Sequence, residues 1–143
     1  MPAMPYVTPQ SLIDEFGETE LVELTDRATP RTNVVDTAVA QRACDRAIAE
    51  VDGFLRARYA LPLASVPVLV PYLALDLARY YLYEVEPPTV VQTRFEAARK
   101  TLRDLQSGAQ PLGIDAAGTD VAATPTDLAE FCAGEKVFGR GDA

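Results

Sequence analysis

The sequence predicts an all-α fold: a small helical bundle of three longer helices, one or two short helices before them and an extended C-terminal arm. Three observations carry this prediction. Apolar residues recur at steps of three and four along successive stretches, which is the spacing of one helix face. No run alternates apolar and polar residues with a clean period of two, and no tight turn joins strand-like segments. Proline and glycine corners separate the periodic stretches, and these residues stop helices.

Residues 1–7 are a lead-in. Thr8-Pro9 is a helix start, with Thr8 as cap and Pro9 at the first helical position. Leu12, Ile13 and Phe16 then give an apolar face, and Gly17 ends the helix. A second short helix is expected over Glu18 to Leu24, with Leu21, Val22 and Leu24 inward. Asp14, Glu15, Glu18, Glu20, Glu23 and Asp26 fall in this region with no base among them. They fit a patch facing a partner or a channel lumen. They equally fit a solvated face near helix N-termini, where the backbone dipole favours acids.

Residues 28–35 read as a loop, punctuated by Thr29-Pro30 and Thr32-Asn33. The longest periodic stretch follows and organises the rest of the chain. Ala40, Cys44, Ala47, Val51, Phe54 or Leu55, and Tyr59 form one apolar stripe. Arg42, Asp45, Arg46, Glu50 and Arg56 lie opposite it. Asp36 stands where an N-cap belongs, and Pro62 forbids continuation past about Ala60. A helix from Asp36 to Tyr59 would be about 35 Å long at about 1.5 Å per residue. Gly53 within it costs about 1 kcal/mol relative to Ala, so close approach of another helix is expected there. Leu61 to Pro67 is a proline-rich corner.

A third stretch, from Val68 or Pro71 to Tyr83, places Leu73, Ala74, Leu77, Ala78, Tyr81 and Leu82 with few polar residues between, so this helix should be the most buried. Asp76 and Arg79 are spaced to pair on one face. With Tyr80 and Tyr83 they invite comparison with an enzyme site, but no nucleophile or histidine converges on them. Glu86-Pro87-Pro88 is a rigid turn. The last helix is expected from Thr89 to Gln106, with Val91, Phe95, Ala98, Leu102 and Leu105 as a narrow stripe and Gly108 as its stop. Arg94, Arg99, Lys100 and Arg103 lie on its other side. They are either solvated or matched to the N-terminal acids of a neighbouring copy.

Beyond Ala109 the character changes. Residues 113–127 read as a linker rich in Ala, Gly and Thr. Residues 128–143 read as a docking arm, with Phe131, Lys136, Val137, Phe138 and Arg140 as its anchors on a partner or on the same domain. Residues 1–112 form the folded domain.

Composition narrows the function. The chain has 143 residues, 13 Lys plus Arg against 21 Asp plus Glu, and a net charge of −8. That acidity argues against duplex binding, which draws its affinity from neutralised phosphates. There is no histidine, which removes the commonest general base and metal ligand. Cys44 lies on an apolar stripe, and nothing suggests a disulfide framework, metal or cofactor. Pro62, Pro67, Pro71, Asp76 and Arg79 interrupt the apolar run from Tyr59 to Tyr83, so no membrane span is expected. Residues 1–6 carry no basic lead or apolar run of an export signal. Protein–protein association is what remains, and catalysis is not expected.

Four segments carry a family resemblance: Tyr6 to Asp26 (YVTPQSLIDEFGETELVELTD), Ile48 to Leu63 (IAEVDGFLRARYALPL), Leu73 to Tyr83 (LALDLARYYLY) and Arg94 to Gly108 (RFEAARKTLRDLQSG). In this order they resemble the head–tail connector, or adaptor, family of Mu-like tailed bacteriophages. The resemblance implies a structural protein of the virion neck, assembled in the host cytoplasm. It would bind the portal protein after DNA packaging as a ring of neighbouring copies, a dodecamer matched to portal symmetry. It would extend a channel through which DNA passes without specific binding, and offer a surface to the next neck or tail protein, a stopper or tail terminator. The resemblance also implies that the C-terminal arm reaches a neighbouring virion protein. A small acidic dimeric regulatory or antitoxin-like binding module is the alternative, disfavoured by the charge.

Overall fold

A computed structural model describes residues 5–114 of the chain. Five helices follow one another: α1 (Pro9–Phe16), α2 (Glu18–Thr25), α3 (Thr37–Leu55), α4 (Leu69–Leu82) and α5 (Thr89–Ser107). No β-strand occurs among the described residues, and the fold is the expected all-α bundle. Helix α4 packs on both α3 and α5, which also touch each other, and the α1–α2 pair lies against α3 and α4.

Local chemistry sets the helix ends. Thr8 caps α1: its hydroxyl accepts from the Ser11 amide at 3.1 Å, while Ser11 Oγ accepts from the Thr8 amide at 2.8 Å. Gly17, at φ +94°, holds the joint between α1 and α2 in a backbone region that other residues rarely adopt. Asp36 caps α3 by accepting from the amides of Ala38 and Val39 at 3.0 and 3.3 Å. Gly108 ends α5 in the left-handed region at φ +87°.

The stripe on α5 is buried as its spacing requires: Val91, Phe95, Ala98, Leu102 and Leu105 all face inward. Helix α4 buries Val70, Leu73, Ala74, Leu75, Leu77, Ala78 and Leu82. From α3 come Cys44, Ala47, Val51 and Leu55, each fully shielded. Burial pushes the Cys44 thiol up to about 12, which leaves it a protonated, inert core group. Leu112 and Ile114 are buried in the same core.

Two expectations about α3 need correction, and one alternative is resolved. The helix stops at Leu55, well before Tyr59, and at 19 residues is about 28 Å long. The Leu55 carbonyl accepts from the amides of both Arg58 and Tyr59, at 3.0 and 2.9 Å, and this turn carries the chain off the helix axis. Leu55 is the core residue of the last turn, and Phe54 is only partly buried. Gly53 is approached by nothing: a Cβ there would meet no atom within 4 Å.

Candidate functional site

Three surface regions of the described fold collect its charged and apolar groups. The Gly17 joint and the short lengths of α1 and α2 present Asp14, Glu15, Glu18 and Glu23 to solvent. Glu18 and Glu23 border a shallow depression of about 380 Å³, with Arg31 and Asn33 also in its wall. The other two acids of the cluster point inward. Glu20 pairs with Arg79 at 2.7 Å. Asp26 is buried and closes the α2–α3 loop, accepting from the amides of Asn33 and Thr32 at 2.7 and 2.9 Å and from the Thr32 hydroxyl at 3.1 Å. Those hydrogen bonds, the Asn33 amide first, hold its carboxyl below the usual aspartate range. Thr25 completes the loop by donating to the Leu21 carbonyl at 2.6 Å and accepting from the Asp36 amide at 2.9 Å.

The basic side of α5 is largely matched within the chain. Arg94 reaches Asp76 at 2.9 Å, and Lys100 reaches Asp104 at 2.8 Å. Arg99 Nε lies 2.9 Å from Glu50, close enough for charge pairing although its N–H is not aligned for a hydrogen bond. Arg103 is exposed, with no ion-pair partner among the described residues. The pairing expected between Asp76 and Arg79 does not form, because each finds a partner on another helix. Arg79 crosses to Glu20 on α2 and lies 4.4 Å from the Phe16 ring centre, while Asp76 turns to α5. The ion pairs therefore join α2 to α4, α4 to α5 and α3 to α5. Burial nevertheless raises the Asp76 carboxyl; Arg94 and Arg79 oppose that shift, and Glu15 adds to it.

Aromatic residues brace the same seam. The Tyr80 and Phe95 rings stack with centres 3.7 Å apart, and Tyr81 meets Phe95 edge-on at 5.7 Å. Tyr81 donates its hydroxyl to Glu50 beneath the Arg46 guanidinium, which sits 4.1 Å from the ring centre. Burial, and then the Glu50 carboxylate, push the Tyr81 phenol up to about 12. These residues tie helices together.

A third surface was not anticipated from the sequence. Beside the α3–α4 corner lies an open apolar groove of about 1010 Å³, whose lining includes Ile48, Leu61, Val66, Val68, Pro71 and Tyr72. Tyr6 also lines it and donates to Asp52 at 2.6 Å. The available signal was the pair of valines in Val66-Pro67-Val68: a proline corner that holds apolar side chains away from any helix stripe. The arm anchors Phe131, Lys136, Val137, Phe138 and Arg140 lie outside the described residues. Among the described residues, no helix is long and apolar enough to cross a membrane.

Known proteins resemble this chain along most of its length. Gene product J of Escherichia phage Mu is 31% identical over 139 residues, 96% of each protein. The Mu-like prophage FluMu protein gp36 of Haemophilus influenzae is 28% identical over 109 residues, 76% of each. The family described as Bacteriophage Mu, Gp36 matches residues 6–130, which takes in all five helices and their corners, and the chain belongs to that family.

Proposed function

We propose that this protein is a structural component of the phage neck: a head–tail connector that binds the portal as a ring after DNA packaging, extends the DNA channel and receives the next neck or tail protein. Membership of a Mu phage protein family supports a role in phage structure or morphogenesis. The observation that carries the finer reading is the division of the surface. Four exposed acids crowd the α1–α2 face, while on α5 Arg103 stands exposed with no ion-pair partner among the described residues. An acidic face that can meet an exposed base on the next copy suits head-to-tail contacts, the kind that close into rings. An acidic lining suits a conduit, because it repels passing DNA.

The proposed role is non-catalytic. The chain has no histidine, the half-buried phenols of Tyr6 and Tyr81 brace helices, and buried Asp26 braces a loop. Deleting the reading frame from its phage tests the assignment. Electron micrographs of the lysate should show DNA-filled heads and separate tails, and joined infectious particles would contradict it.

A further inference from the structure

We infer that the apolar groove beside the α3–α4 corner is the seat of the chain's own C-terminal segment, residues 128–138, folded back on the same copy. Val66, Val68 and Tyr72 stand in this groove 40%, 73% and 54% exposed. A contiguous apolar surface rimmed by polar groups marks a binding site.

The described chain ends beside it. Ile114 is buried and shares a small cleft with Arg58 and Tyr59. Arg56 and Leu61, which bracket that pair in sequence, line the groove. From Ile114 the chain has residues 115–127 before Leu128. A coil of that length spans about 20 Å. Residues 128–138 contain Glu130 and Glu135 against Lys136, so the segment's net charge of −1 is opposite to that of Arg56 and Arg58. Both arginines are exposed and neither has a carboxylate partner among the described residues. Leu128, Phe131, Val137 and Phe138 supply the apolar groups, and the groove has room for several side chains of that size. The short tether favours the same copy over a second one, because it holds the segment at a high effective concentration. Seating it there requires neither portal nor ring.

The chain contains no tryptophan, so Tyr72→Trp makes a single emitter in the groove. The full-length Tyr72→Trp chain is compared with the same chain carrying Phe131→Asp and Phe138→Asp, across a dilution series. With the segment seated, emission is blue-shifted and weakly quenched by acrylamide at every concentration. The added substitutions shift it red and at least double the quenching constant. A second readout avoids the tryptophan. Ala64→Cys puts a thiol on the groove wall, and mild oxidation of the full chain should join it to native Cys132 within one copy, a product lost in Cys132→Ser. Identical spectra in the two tryptophan chains, or no such internal disulfide, overturns the assignment. Shielding that disappears on dilution, or a disulfide-linked dimer, gives the groove to a second copy and overturns it equally.

Discussion

Asp26 shows how one residue can leave the role its neighbours suggest. In sequence it is the last member of an acid cluster, and in the fold it is an internal clasp for the α2–α3 loop. Its carboxyl titrates below the ordinary value of 3.8. The stability it contributes is therefore complete above that value and is lost as pH falls through the lower folded one. Asp76 runs the other way: burial raises its carboxyl, so protonation on acidification favours the fold. Thermal melts between pH 7 and about pH 3 should separate the two. Asp26→Asn should be destabilised at neutral pH and lose less on acidification than the parent, whereas Asp76→Asn should lose more. Equal acid limbs would show that neither environment has been described correctly. Neither role was legible in the sequence. Loop closure and inter-helix pairing depend on which helices meet, and periodicity along one helix does not contain that information.

At the scale of the element, stripes and caps were readable because they are local. Thr8, Asp36, Gly17 and Gly108 act where their chemistry places them, and all five residues of the α5 stripe are buried. The end of α3 was not readable, because Pro62 sets only an outer limit and the turn at Leu55 depends on packing beyond the helix. Gly53 gives a direct test. It faces open space without positive φ, so Gly53→Ala should raise stability by about 0.5–1 kcal/mol in chemical denaturation. A loss there would restore the close approach that the structure does not show. In the centre, Leu77 is fully buried on the most apolar helix. Leu77→Ala should cost about 2–5 kcal/mol, and a parental melting curve would remove Leu77 from the core.

On the scale of the whole molecule, the charge was legible and its distribution was not. Composition gives −8 but does not reveal that Glu20 and Asp26 turn inward while Arg94 and Arg99 are matched at home. The apolar groove escaped notice because it is built from a corner, and helical stripes do not describe corners. The remaining acidic surface should repel duplex DNA: gel shifts at physiological salt should show no binding tighter than about micromolar. Portal binding in the form of a ring is the central claim, and the mass of the purified protein, alone and after mixing with its portal, tests it most directly. The account predicts a portal complex heavier than the portal ring by one copy of this 15.5 kDa chain per portal subunit. A mixture in which both proteins keep their separate masses would contradict it.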